Sequence, residues 1–325
     1  MSNPAQTDQA LVKKATRAAY GETLMALAQE GVDIYAVDAD LASSTTSIKL
    51  AEFDARRHIN VGIAEQNMIG VAAGISLADP GKVVFTGSFA VFGTGRVYDQ
   101  IRNTVCYAEL NVKIAPTHAG ISTGADGGSH QMVEDIALMR VLPNMRVLVP
   151  ADYLSAAAAI RLAAMTPGPF YIRLGRLAVP QLYTSPLGLA VGQAQVLRPG
   201  RDVTIVASGI EVNLALEAAN RLADLSIQAE VIDAFSIKPL DKKTIIKSAA
   251  KTGRVLTAEE HSIIGGLGSA VAELIAESPG LSPYFRRLGV EDRFGSSGEY
   301  DQLFRAYRLD SEAICNTVLE LCNES

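Results

Sequence analysis

The chain has 325 residues, which is enough for two domains of ordinary size. Hydrophobic residues make up 48% of the sequence and charged residues 20%, so it can bury a large core and is not an extensively disordered protein. Its net charge of −6 argues against binding to nucleic acid or to an anionic membrane surface.

The N-terminus, the apolar segments and the cysteines exclude further classes of protein. The first residues carry no basic segment followed by an apolar one, so a secretory signal peptide is not expected. No apolar run approaches the roughly 18 residues that would span a bilayer. The three cysteines, Cys106, Cys315 and Cys322, form no CxxC pair, so neither a disulfide framework nor a zinc site is indicated. We expect a cytoplasmic protein whose own residues bind no metal.

In the first half of the chain, short apolar segments typical of buried strands alternate with segments of helical period. The strands are predicted at 33–37, 59–61, 83–85, 112–115, 146–149 and 170–173. The helices are predicted at 8–30, 64–79, 95–108, 132–140 and 152–165. This alternation predicts βαβ units and a mostly parallel sheet over residues 1–178.

The pattern weakens over residues 179–201, which hold three prolines and three glycines and are predicted to be a linker with some extended structure. Strands are then predicted at 203–206, 229–233, 254–257 and 284–288, and helices at 211–224, 241–250, after Gly268, and at 310–322. The sequence therefore predicts an α/β protein with a second domain at 202–325. Each domain is expected to be a mostly parallel sheet flanked by helices.

One glycine-rich stretch, residues 117–131, contains His118 and His130 together with Asp126. Glycine costs about 1 kcal/mol per residue in a helix, so this stretch is predicted to be a loop whose backbone approaches another group closely. Because histidine can transfer protons near neutral pH, the loop is the first candidate for a functional site.

Glu65 falls where a predicted strand ends and a helix begins, and ligands of parallel sheets collect at the carboxyl ends of strands. The four residues before it, 61–64, are apolar or small, so its carboxyl group should be partly desolvated and suited to sharing a proton. Alternatively, Glu65 only stabilises the start of a helix through the helix dipole.

Two other pairs of residues follow predicted strands. Phe89 and Phe92 either pack in the core or stack on a flat aromatic ligand. Arg173 and Arg176 follow the sixth strand, where an arginine can hold a phosphate through its planar fork or form a surface charge pair. The sequence pattern alone leaves both choices open.

These segments recur together in one known family. They are Asp38-Ala-Asp40-Leu41, Gly62-Ile-Ala-Glu65-Gln-Asn-Met68, Ser88-Phe89-Ala-Val-Phe92, the loop from His118 to Gln131, the segment 142–152, Glu259-Glu-His261 with the turn Gly265-Gly-Leu-Gly268, and the segment 289–301. In their order and spacing they resemble the C-terminal half of transketolase, meaning its pyrimidine-binding domain followed by its C-terminal domain. The similarity extends over nearly the whole chain.

The resemblance implies a thiamine diphosphate cofactor and a role for Glu65. The cofactor's aminopyrimidine must reach its imino form to take the proton from C2 of the thiazolium ring. A carboxyl group that is hydrogen-bonded to N1′ of the pyrimidine makes this possible. Glu65 matches the family's glutamate for that task, which agrees with its expected desolvation.

The resemblance also implies a pocket for the pyrimidine ring. Phe89 and Phe92 match the aromatic residues that hold the ring. Ile63 matches an apolar residue near the bend of the cofactor, and Asp40 matches an acidic residue near the cofactor at an interface. The sequence departs from the family near Gly95, where a tyrosine often completes the pocket.

On the substrate side, His118 and His130 match the histidines that line the family's substrate channel. The resemblance implies that His130 transfers protons to and from the sugar hydroxyls, and that His118 lies nearer the phosphate end. Asp126 matches the acid that contacts the donor's C2 hydroxyl. Arg173 matches a phosphate-binding arginine, although Arg176 is close enough to be that residue instead.

A complete transketolase also has a domain that binds the cofactor's diphosphate through Mg²⁺, marked by Gly-Asp-Gly and a downstream asparagine. This chain contains no Gly-Asp-Gly. The resemblance therefore implies the small, C-terminal subunit of a split transketolase. A separate subunit would carry the magnesium half, with the active site between chains in an α2β2 assembly. The expected reaction transfers a two-carbon ketol unit between sugar phosphates.

Two alternatives remain open. The chain could belong to another thiamine diphosphate enzyme, either the β subunit of a 2-oxo acid dehydrogenase or a relative of deoxyxylulose-phosphate synthase. The two-histidine loop argues against the dehydrogenase and His118 argues against the synthase, but Ala125-Asp126-Gly127 is shared with both. The chain could also be a non-catalytic partner subunit, although Glu65, Asp126 and the two loop histidines are all present.

Overall fold

The structure is a computed structural model that describes residues 13–184 and 188–323. The strands are β1 (Lys13–Ala15), β2 (Ile34–Asp38), β3 (His58–Asn60), β4 (Val83–Gly87), β5 (Val112–Ile114), β6 (Arg146–Leu148), β7 (Phe170–Ile172), β8 (Ala178–Pro180), β9 (Gln195–Arg198), β10 (Val203–Ala207), β11 (Ala229–Asp233), β12 (Ser236–Lys238), β13 (Arg254–Ser262) and β14 (Tyr284–Val290). The α-helices are α1 (Thr16–Gln29), α2 (Ala42–Thr45), α3 (Ile48–Phe53), α4 (Glu65–Ala78), α5 (Ala90–Gly93), α6 (Tyr98–Gln100), α7 (Asp135–Arg140), α8 (Tyr153–Met165), α9 (Glu211–Asp224), α10 (Lys242–Thr252), α11 (Leu267–Ala276), α12 (Tyr300–Ala306) and α13 (Ser311–Asn323). Strands and helices alternate along most of the chain, as the sequence predicted.

The first domain is built on a seven-stranded sheet with the order β12-β6-β7-β5-β4-β2-β3. All neighbouring strands in it run parallel except β12, which is antiparallel to β6. Strand β12 comes from the second half of the chain, so the second domain contributes an edge strand to the sheet of the first. The strands are short and fully apolar in places, as expected of a parallel sheet covered on both faces.

The second domain is built on a five-stranded sheet with the order β14-β13-β10-β11-β9. Its strands are parallel except β9, which runs antiparallel to β11 at the edge. A separate two-stranded ribbon, β1 with β8, joins the start of the first domain to its end. Both domains are therefore α/β with mostly parallel sheets flanked by helices, and the predicted fold class is confirmed.

Three predicted segments differ from the observed elements. Of the helix predicted at 8–30, residues 8–12 lie outside the described part of the chain, 13–15 form β1, and α1 begins only at Thr16. The helix predicted at 95–108 is a 3₁₀ turn followed by α6 and a turn of π-helix at Ile101–Cys106. The predicted linker contains β9, which pairs with the second sheet. The first and third differences arise because β1 and β9 pair with strands that are far away in the sequence. A local periodicity of hydrophobic residues cannot reveal such pairing.

Helices pack against both faces of the first sheet. Helices α1 and α8 pack against each other on one face, where Tyr20, Phe85 and Phe170 are fully buried. Helix α4 packs against β2 and β4. The carboxyl edge of this sheet therefore has fixed geometry, and the candidate residues lie along it.

Within the residues that the structure describes, no helix is both long enough and apolar enough to cross a bilayer.

Candidate active site

The carboxyl edge of the first sheet brings together segments that are far apart in the sequence. Glu65 begins α4 shortly after β3, Phe89 follows β4, and His118 follows β5. Beyond β4 and β5 the two backbones stay paired, and the amide of Ala90 donates to the carbonyl of Thr117 at 2.7 Å. This pairing places Phe89 and His118 side by side.

Four rings form one continuous surface, which we call the aromatic wall: Phe89, Phe92, His118 and His130. The rings of Phe89 and Phe92 are nearly parallel, with centroids 6.2 Å apart and planes 17° apart. The centroid of His118 lies 3.8 Å from that of Phe89, and that of His130 lies 5.4 Å from that of Phe92 at a steep angle. The wall therefore unites the two phenylalanines and the two loop histidines that the sequence singled out.

The carboxyl group of Glu65 is buried next to this wall. Its side chain is 3% exposed, and Nη1 of Arg96 donates to its Oε2 at 2.8 Å. The guanidinium carbon of Arg96 lies 4.2 Å from the ring centroid of Phe92, which is cation–π distance. Arg96 thus joins Glu65 to the aromatic wall, and sequence reasoning missed it because an arginine in a turn has no distinguishing pattern.

His118 is buried and hydrogen-bonded through both ring nitrogens. Its Nδ1 lies 2.7 Å from Oγ1 of Thr117, and its Nε2 lies 3.3 Å from Nη1 of Arg17. Because a guanidinium can only donate, Nε2 must accept, and Nδ1 carries the proton and donates to the hydroxyl. Burial, together with the nearby Arg17 and Arg176, lowers the pKa of His118 to about 3. This histidine is therefore neutral at physiological pH.

Two arginines lie beside His118 and the glycine-rich loop. Arg17, in the first turn of α1, also donates to the carbonyl of Ser44 at 2.9 Å. Arg176 donates to the carbonyl of Thr123 at 2.8 Å and to the Asp126 carboxylate at 3.2 Å. Together they make this end of the site cationic. Arg17 was missed at the sequence level because it lies about a hundred residues before the loop that it contacts.

Arg173 has a different setting from the one expected of a phosphate ligand. Its guanidinium is buried between the domains, where it binds both carboxylate oxygens of Asp135 at 2.7 and 3.2 Å. It also donates to the carbonyl of Glu260 at 2.9 Å. A guanidinium enclosed by these acceptors cannot present its fork to a substrate, so the geometry disfavours the predicted role of Arg173 and favours Arg176.

The glycine-rich loop is pressed against the second domain. Gly120 has a φ of 79°, and a Cβ at this position would overlap the carboxyl group of Glu260. A Cβ at Gly128 would overlap the carbonyl of Gly295. Nε2 of Gln131 donates to the carbonyl of Ser296 at 2.9 Å. The close approach that the glycines permit is therefore an approach to the second domain, and it holds the loop in place.

Asp40 and Ile63 lie at the outer border of the site. Asp40 is exposed, adopts a left-handed φ of 65°, and accepts a hydrogen bond of 3.4 Å from Nδ2 of Asn60. Ile63 is 78% exposed immediately before α4. This exposed apolar side chain stands two residues before the buried carboxyl group of Glu65 in the sequence.

The buried carboxyl group of Glu65 and the aromatic wall are formed by the residues through which the sequence resembles the pyrimidine-binding domain of transketolase. The comparisons with known proteins agree. Residues 12–181 match the transketolase pyrimidine-binding domain, and residues 192–314 match the transketolase C-terminal domain.

The similar proteins point in the same direction. The chain is 46% identical to the putative transketolase C-terminal section of Methanocaldococcus jannaschii, over 95% of this chain and 96% of that protein. It is 42% identical to the 6-deoxy-6-sulfo-D-fructose transketolase subunit SqwH of a Clostridium species, over 94% of each chain. Among solved structures, a split-gene transketolase described as an inactive β4 tetramer superimposes with a TM-score of 0.86 at 46% identity, covering 95% of this chain and 98% of that one.

The chain belongs to the transketolase family. It corresponds to the C-terminal subunit of a split transketolase, and the family implies thiamine diphosphate as the cofactor. The comparisons favour transketolase over the two other thiamine diphosphate enzymes that the sequence left open.

Proposed function

We propose that this chain supplies the pyrimidine and substrate side of a transketolase active site, which a separate subunit completes. The observation that carries the proposal is the seat formed by Glu65 and Phe92. A planar nitrogenous cation, the Arg96 guanidinium, already makes both a hydrogen bond to the carboxyl group and a face contact with the ring. The seat therefore fits a flat nitrogen-containing ring such as an aminopyrimidine.

When bound, thiamine diphosphate supplies the thiazolium carbon that carries the two-carbon unit. The residues of this chain orient the cofactor. Glu65, in its buried setting, would hold N1′ of the pyrimidine and hold or move a proton there. Phe89 and Phe92, fixed at the end of β4, would support the ring by stacking. Ile63 and Asp40 would line the outer border of the cofactor site.

The two histidines would have different tasks. His130 is half-buried at the edge of the Phe92 ring, with Nδ1 at 3.0 Å from the hydroxyl of Ser129, and it would transfer protons to and from the substrate hydroxyls. His118 is neutral and both of its ring nitrogens already have partners, so it would line the site without taking up a proton. Its place beside Arg17 puts it at the cationic end of the site.

The phosphate of a sugar phosphate would bind at that cationic end. Arg176 has a half-exposed guanidinium, and Arg17 lies close enough for the two charges to interact. Asp126, paired with Arg176 at 3.2 Å, would contact a hydroxyl group of the donor sugar. This arrangement supports a two-carbon ketol transfer between phosphorylated sugars.

The diphosphate and Mg²⁺ would be held by the partner. The sequence has no Gly-Asp-Gly, and the described residues contain no cluster of three metal-binding side chains. Relatives of nearly the same length are named as a C-terminal section or as a subunit of a transketolase. We therefore propose a partner that resembles the N-terminal half of transketolase, in an α2β2 assembly with the active site between chains.

Glu65→Gln in the assembled complex tests the proposal. With a ketose phosphate donor and an aldose phosphate acceptor, we expect kcat to fall by about 10²–10⁴-fold, because a positioned acid–base group contributes that much. Glu30→Gln is the matched control, since Glu30 is exposed and paired only with Arg161. Unchanged turnover in the Glu65 variant would refute the catalytic assignment.

A further inference from the structure

The contact between Arg96 and Glu65 has the shape of a ligand in a binding site. The guanidinium is planar and cationic, donates to the buried carboxyl group at 2.8 Å, and faces the Phe92 ring at 4.2 Å. An aminopyrimidine bound for the proposed function would need the same carboxyl oxygen and the same ring. Two flat groups cannot occupy one space, so the side chain and the cofactor compete.

We infer that, in the unassembled chain, the Arg96 side chain occupies the pyrimidine seat formed by Glu65 and Phe92. The cofactor binds only when this side chain moves away from the seat. The inference rests on the proposed function. It assigns to Arg96 the control of cofactor affinity, a property that neither the fold nor the family match requires.

The burial of Glu65 explains why an occupant is needed. A carboxyl group that is 3% exposed loses most of its hydration, and this loss is costly unless a partner replaces the water. Arg96 supplies that partner from a neighbouring turn. Once the ring nitrogen of a pyrimidine accepts a hydrogen bond from this carboxyl group, the arginine is no longer required there.

The surroundings of Arg96 allow it to leave. Its side chain is 46% exposed, so solvent can hydrate the guanidinium after displacement. Its backbone lies in a short 3₁₀ turn next to Gly95, where a Cβ would meet no atom within 4 Å. Gln66 holds the turn by a long hydrogen bond of 3.4 Å to the Arg96 carbonyl, which fixes the backbone but leaves the side chain free to swing outward.

The test measures binding of 4-amino-5-hydroxymethyl-2-methylpyrimidine to the full chain without a partner, by ligand-observed NMR. This fragment needs neither Mg²⁺ nor the diphosphate site, so the seat is probed alone. We expect Arg96→Met, which keeps an apolar chain over Phe92 but removes the charge and the donors, to bind the fragment at least tenfold more tightly than the wild type. Arg102→Met should bind as the wild type does, because Arg102 is exposed and donates to Asn103.

A second variant separates this inference from the proposed function. The gain in Arg96→Met must disappear in Arg96→Met/Phe92→Leu, since the ring is part of the seat. If Phe92→Leu weakens binding but Arg96→Met does not strengthen it, the seat is real and Arg96 is no occupant. If the fragment binds neither Arg96→Met nor the wild type, or binds without regard to Phe92, then the seat itself is refuted and the inference fails with it. Thermal unfolding of each variant confirms that it is folded. If Arg96→Met is not folded, Arg96→Gln replaces it.

Discussion

Two arginine–carboxylate pairs in the first domain have the same chemistry and different surroundings. In the pair of Arg173 with Asp135, the two side chains are 6% and 0% exposed, and the guanidinium binds both carboxylate oxygens. In the pair of Arg96 with Glu65, the carboxylate is equally buried, but the arginine is 46% exposed and makes one hydrogen bond.

The difference separates a structural pair from a replaceable one. Around Asp135, the hydroxyl of Tyr171 donates to the same carboxylate at 2.5 Å, and the Arg173 guanidinium also reaches the carbonyl of Glu260 in the second domain. Removing either ion would leave the other buried without its hydrogen-bonded counterion, since the next carboxylate, that of Glu260, lies 4.0 Å from the Arg173 guanidinium. In the other pair, solvent can hydrate the Arg96 guanidinium when a ligand replaces it at the Glu65 carboxyl group. A buried carboxylate with a half-exposed partner is therefore the better candidate for ligand binding.

The comparison can be tested first where the largest effect is expected. Asp135→Asn should lower the free energy of unfolding by about 3–5 kcal/mol, because it leaves the buried Arg173 guanidinium with only the more distant Glu260 carboxylate, 4.0 Å away, among the described residues. Urea unfolding followed by circular dichroism measures the change. Glu30→Gln, which breaks an exposed pair with Arg161, should change it by less than about 1 kcal/mol. Equal effects of the two variants would show that the pair of Arg173 with Asp135 is not structural.

The second test asks whether Arg176, and not Arg173, contacts the phosphate of the substrate. Arg176→Ala should lower kcat/KM for a phosphorylated donor by about 10- to 100-fold, the loss expected for a charged hydrogen bond, mainly by raising KM. A donor that lacks the phosphate should be affected much less. Steady-state kinetics of the assembled complex with both donors decides the point. The same loss with both donors would exclude a phosphate contact, and Arg102→Ala serves as the control.

The third test concerns the dependence of stability on pH through His118. The folded chain keeps this histidine neutral down to a pKa of about 3, whereas the unfolded chain takes up a proton below about 6.5. Unfolding therefore binds a proton in this window, and the free energy of unfolding falls as the pH is lowered, by up to ~1.4 kcal/mol per pH unit. His118→Gln should remove this part of the slope. Urea unfolding of both proteins at several pH values between these two pKa values measures the pH dependence of the free energy of unfolding. The same pH dependence in His118→Gln and the wild type would contradict the buried neutral state of His118.

Most of the fold could be predicted from periodicity. The strands at 229–233 and 203–206 and the helix at 211–224 agree with β11, β10 and α9 within a residue. The strands that were not predicted are β1, β8, β9 and β12, and each of them pairs antiparallel with its partner. These strands are three or four residues long and are stabilised by partners far away in the sequence, so no local pattern distinguishes them from loop.

The candidate site was predicted in part. Glu65, Phe89, Phe92, His118 and His130 were singled out, and the structure places all five along one surface. Arg17 and Arg96 were missed because their roles depend on contacts across the fold. Arg173 and Arg176 are three residues apart, and the sequence could not tell which one faces the site. Burial between the domains settles that Arg173 is enclosed.

The sequence by itself determined the alternation of strands and helices, the family, and the residue types that carry the chemistry, because these depend on local order and spacing. Only the tertiary structure decided which charges pair with which. It showed that the loop glycines pack against the second domain, that burial and neighbouring arginines lower the pKa of His118, and that Arg96 donates to the buried carboxyl group of Glu65. Pairing and burial depend on distance in space, and the folded chain alone sets that distance.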